Sequence, residues 1–476
     1  MELVVVDVLA IDMGSSAIRA FLGHWNTAEN ELSLQEIYRQ PIEVQVDADN
    51  HLTWPVAQFA EIAKKCAAVA AQTLGHAPDS VGVDGWGVDF VKIFASGECE
   101  PQAVAYRDTC GHIGQAALDT KITRRHQYRF TGVMPQDINS VNRLTGANAV
   151  GKAPYAGILF LQDMITRVLA TADIPGWDAP VACAPWASQG VASTSAMMDV
   201  NRFEWNTEIL KAAGIDPKIL LPIHGEPSLL VKRGRTNVAL SGSHDTACAA
   251  YCIAPNVGDI FVSCGSWAVI GAITPKPLTT DEAYEKGVTN EAATGGSNRA
   301  ELNQTGLWLL QECRRQWSKE GKDVSFSQLD KQCWEAKSLG VFINPSDAEL
   351  ISPGEMPSRL RAKLESEFGI LECSDGQLLR TIKESLAHSI VAGINDLRHL
   401  VKSEGVVHIT GGGTYDTFLM QEITNLLGEP VRLAKCEASI IGNMLAQLHV
   451  LGVPKGATQK WFDTSDYTEV LQPITL

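Results

Sequence analysis

Three apolar strand-like runs in this chain each lead straight into a glycine-bearing turn. They are Leu9-Ala10-Ile11-Asp12-Met13-Gly14-Ser15-Ser16, Phe261-Val262-Ser263-Cys264-Gly265-Ser266-Trp267 and Val407-His408-Ile409-Thr410-Gly411-Gly412-Gly413-Thr414. Small residues at a strand end let backbone N–H groups approach an anion closely. One such turn is ordinary punctuation. Three of them, spread through a chain of 476 residues, imply a nucleotide held between two lobes.

The length exceeds what one hydrophobic core usually supports, so two domains are expected. We place the boundary at the basic, polar segment Lys232–Asn237, giving domains 1–237 and 238–476. A formal net charge of −16 argues against a nucleic-acid partner held through a broad basic surface. Phosphate binding stays open, because backbone amides and a metal ion supply positive field locally. The 11 cysteines contain no C-x-x-C pair, which removes zinc ribbons and thioredoxin-type redox sites. Met1-Glu2 leads into the strand-like Leu3-Val4-Val5-Val6-Asp7 with no basic leader. No apolar run approaches the ~20 residues of a membrane span. These features read as a cytoplasmic protein with reduced thiols and no membrane partner. No self-evident interface patch appears, so a homo-oligomer stays open.

Strands and helices alternate along the chain, as in an α/β protein with helices on both faces of its sheets. The spacing of Phe59, Ile62, Cys66, Val69 and Ala70 predicts a helix over 55–74, and 80–88 returns to a strand. Residues 258–273 and 287–303 alternate as antiparallel strands do. Leu378, Ile382, Leu386, Ile390, Ile394 and Leu397 predict a long helix over 377–401, followed by a strand over 406–410 and a helix over 417–427.

Neither a P-loop G-x-x-x-x-G-K-[ST] nor a strand-linked G-x-G-x-x-G is present, and H-E-x-x-H and G-x-S-x-G are also missing. The sharpest chemical candidate is Asp245, between a glycine turn and a small-residue helix. It could accept a substrate hydroxyl proton or simply cap that helix. Asp12 at its strand end suits Mg²⁺ or a hairpin turn. Asp84 and Asp89 flank Trp86-Gly87, where Trp86 would form an apolar wall for a polyol or plain core. Tyr106-Arg107-Asp108 would recognise hydroxyls or form a surface ion pair.

Taken together and in order, these segments resemble the FGGY family of carbohydrate kinases, and within it the rhamnulokinase branch. The matching pieces include Ala10–Ser16, Gly82-Val83-Asp84-Gly85-Trp86-Gly87-Val88-Asp89-Phe90, Tyr106-Arg107-Asp108 and Gly242-Ser243-His244-Asp245-Thr246-Ala247. Ser263–Trp267, Thr289-Asn290-Glu291, Gly306–Gln311, Ile343-Asn344-Pro345, Gly411–Gly413, Glu437-Ala438-Ser439 and Gly442-Asn443 continue the match. The resemblance spans nearly the whole chain. It implies an α/β fold of two actin-like, ribonuclease-H-like domains, the sugar kinase–chaperone–actin superfold, with ATP and Mg²⁺ in an interdomain cleft. The implied reaction is phosphorylation of a hydroxyl, O1 in rhamnulokinases, of a small-molecule ketose such as L-rhamnulose. Asp245 then matches the general base, with Gly87, His244 and Thr246 as substrate contacts. Asp84, Trp86, Arg107, Asp108 and Asn139 join the sugar side. On the ATP side stand Ser15, Ser16, Ala17 and Arg19 in the first phosphate loop, and Gly265 and Ser266 in the second. Asn303 and Gln311 match nucleotide-side positions, Gly412 and Gly413 the adenosine loop, and Asp12 organises Mg²⁺.

The chain departs from the rhamnulokinase pattern at Ala17-Ile18, where Ser-Gly is common, and at Asp416, where Asn is common. The segment Thr131–Ser140 keeps Asn139 and changes most of its neighbours. The leading alternative is a sugar- and ATP-binding sensor of the same fold that has lost catalysis. A chaperone-like or filament-forming ATPase is a further alternative, for which Asp245 would have no task.

Overall fold

A computed structural model describes residues 5–149, 155–254 and 256–474; Leu3 and Val4 of the opening run lie outside them. The chain divides into two compact units that are discontinuous in sequence. One holds residues 1–255, 273–300 and 437–465, and the other 256–272, 301–436 and 466–476. The expected division at 237/238 falls inside the strand Thr236–Leu240. That strand pairs parallel to Ser80–Gly85, Asn237 opposite Ser80, so the stretch leading to Asp245 is built onto the first unit's sheet.

The central sheet of the first unit has six strands. In spatial order they are Ser228–Arg233, Thr236–Leu240, Ser80–Gly85, Val5–Gly14, Ala17–Asn26 and Glu31–Pro41. Successive side chains on a strand point to opposite faces, and both faces of Val5–Gly14 are buried from Asp7 to Met13. Leu9, Ile11 and Met13 join a core with Phe59, Ile62 and Cys66 of the helix Val56–Leu74 and with Ile165 and Leu169 of Leu161–Thr171. The helices Asp245–Ile253 and Ala438–Val450 pack tightly on each other: a Cβ on Gly442 would stand 1.8 Å from the Cys248 carbonyl oxygen. A Cβ on Gly82 would stand 2.5 Å from Asn443 Oδ1, so this helix pair approaches the sheet at a glycine. The parallel register sets Asp12 directly opposite Asp84, and the period of two puts both on the face of Asn443, whose Nδ2 donates to Asp84 Oδ2 at 2.6 Å.

In the second unit Ile260–Cys264 runs antiparallel to Trp267–Thr274 and parallel to Val407–Thr410, and Val431–Ala434 continues the parallel set. The long helix is Asp375–Val401, two residues longer at its start than the apolar spacing suggests. A capping box of Ser374 and Gln377 sets its first turn. The helix Thr417–Leu427 matches its expected bounds. Among the described residues no helix is long and apolar enough to cross a membrane.

One buried carboxyl in the first unit makes stability depend on pH. Asp163 accepts the backbone N–H of Ser188 at 3.0 Å and its hydroxyl. Burial nevertheless dominates and, helped by the charge of Glu226, pushes its pKa up to about 7. A carboxyl whose folded pKa lies above its unfolded value stabilises most at low pH, and that contribution fades as pH rises from about 4 through 7. Asp163→Asn, which cannot ionise, is therefore expected to show a flatter decline of urea midpoint between pH 5 and 7.5 than the unsubstituted chain. Equal slopes would refute this.

Candidate functional site

The turn Ser15-Ser16 closes the hairpin of Val5–Gly14 and Ala17–Asn26, with both serines exposed and Ala17 half-buried. The hairpin register sets Arg19 opposite Asp12. Arg19 Nε and Nη2 both reach Asp12 Oδ2, at 2.8 and 2.6 Å, and Nη1 reaches Glu437 at 2.8 Å. Arg19, expected on the phosphates, is thus tied to two carboxylates. Asp12 still has a raised pKa, because burial outweighs the Arg19 charge and hydrogen bonds and the Asp245 carboxylate adds to it. Asp84 is pushed well above the usual carboxylate range by burial and by Asp12, with Asn443 opposing and Asp245 adding. Asp84 Oδ1 is buried without a hydrogen-bond partner.

Asp245 is the first residue of its helix and His244 its N-cap, so the capping role does not fall to the Asp245 side chain. Its carboxylate keeps 35% of its surface exposed and lies 3.4 Å from His244 Nε2. Oδ1 also accepts the Thr246 N–H at 2.5 Å and the Thr246 hydroxyl at 3.1 Å. The turn before it is held by the buried Glu226, whose carboxylate accepts the N–H groups of Ser243 and Gly190, each at 2.7 Å.

His244 is itself gripped from behind. Its Nδ1 lies 3.1 Å from Glu291 Oε2, and Arg299 Nη2 donates to the same Glu291 oxygen at 2.8 Å. Burial would lower the His244 pKa, but Glu291 and Asp245 outweigh both burial and Arg299 and raise it. Burial likewise opposes ionisation of Glu291, yet His244 and Arg299 hold it down to about 2. In the sequence Glu291 was visible only as part of a matching segment, and Arg299 and Glu226 not at all. Glu291 and Arg299 come from strands 47 and 55 residues after His244, and Glu226 from a loop 18 residues before it, distances that no local motif spans.

The other expected sugar-side residues separate into two groups. Trp86, packed against Trp54 with ring centroids 4.8 Å apart and the planes tilted by 43°, donates Nε1–H to Asp89 at 2.8 Å. Asp89 also receives Trp54 Nε1–H at 2.6 Å and the buried Arg143 guanidinium at 2.5 Å. Between them Val88 sits at φ 65°, a left-handed conformation that a β-branched residue adopts only under strain. Ser140 Oγ at 2.6 Å and Arg143 both donate to the Val88 carbonyl, and its N–H donates to Thr194 Oγ1 at 2.8 Å. A Cβ on Gly87 would stand 2.8 Å from Thr194, so the turn admits only glycine there. Asp108 and Asn139 are spent on the chain itself. Asp108 accepts the N–H groups of Leu52 and Cys110, each at 2.8 Å, and faces His51. Asn139 accepts the Gln136 N–H at 2.8 Å and donates to the Thr194 carbonyl at 3.4 Å. Arg107 folds over the ring of its neighbour Tyr106.

In the second unit the expected nucleotide-side residues come together in part. Ser266 Oγ donates to Gln311 Oε1 at 2.8 Å, and Gly306 and Leu307 donate their N–H groups to Ser266 and Gly265. Asn303 is exposed. Gly412 and Gly413 open a 3₁₀ turn beside the strand Ile260–Cys264: a Cβ on Gly413 would meet Cys264 Sγ at 2.3 Å, whereas Gly412 faces open space. Asp416 caps Thr417–Leu427 through the Leu419 N–H and is neutralised by the buried Lys383 at 2.8 Å. The departure at 416 is thus an internally paired cap, not a free anion.

The match to the FGGY family of carbohydrate kinases, C-terminal domain, covers residues 260–451. A rhamnulokinase of Pectobacterium atrosepticum is 29% identical over 463 residues, 94% of this chain and 89% of that protein. A rhamnulokinase of Bacteroides thetaiotaomicron is 27% identical over 459 residues, 93% of this chain and 90% of that protein. Among solved structures, Plasmodium falciparum glycerol kinase with ADP superposes with a TM-score of 0.78 at 13% identity, covering 98% of this chain and 94% of that one. At that identity the likeness is one of fold.

Proposed function

We propose that this chain, a carbohydrate kinase of the FGGY family, transfers the terminal phosphoryl group of ATP to a primary hydroxyl, O1, of a ketose of the L-rhamnulose type. The observation that carries the reading is the setting of Asp245. Of the three carboxylates Asp12, Asp84 and Asp245, it alone keeps an exposed face, at the first turn of a helix whose approach is fixed by Glu226 and His244. A sugar hydroxyl is a poor nucleophile, and a carboxylate aimed at its proton takes that proton as the O–P bond forms. Alignment and charge neutralisation supply most of the barrier reduction in phosphoryl transfer. The exposed Ser15-Ser16 turn fits a phosphate in the first unit, and the Ser266–Gln311 pair and the Gly412 turn fit the nucleotide in the second.

The donor set fits a metal that arrives on the nucleotide. Among the described residues no three His, Cys, Asp or Glu side chains gather as a metal cage. Asp12, with Oδ2 held by Arg19, would offer its remaining carboxylate oxygen to an Mg²⁺ that arrives on the nucleotide. Bound there, Mg²⁺ neutralises charge on the transferring phosphoryl group. The sugar side rests on the rigid Gly87-Val88-Asp89 turn beside Thr194.

A coupled ADP-release assay with Mg²⁺-ATP across L-rhamnulose, L-fuculose, D-ribulose, both xyluloses and glycerol tests this. We expect strong stimulation by one ketose, with L-rhamnulose first in order, and product phosphorylated at O1 by ³¹P–¹H correlation. No stimulation by any of these sugars, in protein shown to bind ATP, would overturn the substrate assignment and favour a sensor.

A further inference from the structure

We propose that Glu291 is a positioning residue that acts through His244, fixing the imidazole so that its Nε2–H donates to the Asp245 carboxylate. The inference rests on Asp245 as the base, and it deepens that reading by naming what holds the base in place. Glu291 lies on the strand Thr289–Ala292 and Arg299 on Asn298–Thr305. Arg299 is fully buried and anchored to the Ala292 carbonyl at 3.2 Å as well as to Glu291. His244 Nδ1 faces Glu291 Oε2 at 3.1 Å and Arg299 Nη2 at 2.9 Å, while Nε2 faces Asp245 Oδ1 at 3.4 Å.

These distances restrict the proton positions. If Nδ1 accepts from Arg299, the neutral ring must carry its proton on Nε2. If Nδ1–H donates to Glu291, a bare Nε2 would set a lone pair against a carboxylate, and the imidazolium, which again carries Nε2–H, is the favourable form. Both arrangements point a donor at Asp245. The charged and titratable groups around this ring are Glu291 and Arg299 from the two strands and Asp245 from the helix. Cys248 of that helix and Glu226 lie behind them, with Asp12 and Asp84 acting on Asp245 from the sheet. A buried ion pair is a poor device for stability alone. Here it ends on the one exposed carboxylate of the group, as a base held by an oriented neighbour requires.

The test is a titration of ¹⁵N-labelled histidine in the full chain, with the His244 signal assigned by its loss in His244→Gln, followed by kinetics. In the unsubstituted protein the His244 midpoint should lie above the ordinary value of about 6.5. Glu291→Gln should lower it by about 1–3 pH units, whereas Glu291→Asp, which keeps the charge, should keep it raised. In turnover, Glu291→Gln should lower kcat roughly ten- to a hundredfold with KM for ATP unchanged, and Glu291→Asp should recover most of the loss. A His244 midpoint that ignores Glu291→Gln, or one at or below 6.5 in the unsubstituted protein, would overturn the proposal. The unsubstituted and Glu291→Asp titrations decide the matter even where Glu291→Gln does not fold. No turnover is needed for them, so a failure of Asp245 as the base is seen separately, in Asp245→Asn.

Discussion

Asp245→Asn is expected to lower kcat by on the order of 10²–10⁴-fold, the range for loss of a general base, while the protein keeps its fold and its affinity for ATP. The substitution is nearly isosteric, and the carboxylate is not the helix cap: that position belongs to His244. An amide oxygen can still accept the Thr246 N–H that Asp245 Oδ1 accepts at 2.5 Å, and its NH₂ cannot take a proton from a sugar hydroxyl. The loss should therefore appear in turnover with the preferred ketose and leave the melting curve nearly unmoved. Removing a negative charge also relieves Asp12 and Asp84, whose pKa values Asp245 helps to raise, so a small gain in stability at neutral pH is the direction expected. Near-full activity of Asp245→Asn would end the assignment. A collapse of the fold would show that the residue holds structure instead, and Asp245→Glu would then separate charge from geometry.

What could be read from residues alone followed the range of the forces involved. The helix Asp375–Val401 and the strand-turn units came through because apolar period and glycine position are local signals. Asp12 and Asp84 could be named as strand-end carboxylates, yet their mutual register is a property of a parallel pairing across 72 residues, and that register adds the Asp12 charge to the burial that makes Asp84 costly to ionise. The local hydrogen bonds of Asp108 and Asn139 were likewise not legible: each accepts turn N–H groups that need an acceptor. Arg299 and Lys383 could not be read locally, and Glu291 only as part of a matching segment, because the partners that bury them lie tens of residues away: Asp416 for Lys383 and His244 for Glu291. The discontinuous units have the same origin, since the strand Trp267–Thr274 and the strand Asn298–Thr305 each carry the chain from one unit to the other, and nothing in composition changes at those crossings.

The largest effect on stability is expected from Arg143→Met. Arg143 and Asp89 keep 2% and 1% of their side-chain surface exposed, so the pair is wholly desolvated. Burial raises the Asp89 pKa despite the Arg143 charge and the Trp86, Trp54 and Arg143 hydrogen bonds, a sign that the low dielectric costs more than its donors return. Arg143 thus serves geometry more than net stability: it clamps the carbonyl of Val88, the strained residue that aims Gly87 at Thr194. Removing one partner of a buried pair typically costs about 3–5 kcal/mol, and the freed Val88 turn adds to the loss of the sugar-side geometry. The sign of the pH dependence follows from the raised carboxyl. Below about pH 4 Asp89 is neutral in both states and its contribution is fully present; as pH rises, the unfolded chain ionises first and stability falls until the folded pKa is passed. Without Arg143 that folded pKa moves higher, so the deficit of Arg143→Met, read from urea unfolding, should be larger at pH 7.5 than at pH 5. Adding Asp89→Asn to Arg143→Met should restore part of the loss at pH 7.5 and little at pH 5. A deficit below about 1 kcal/mol, the scale of an exposed ion pair, or one indifferent to pH, would show that the buried charge is not what holds this turn.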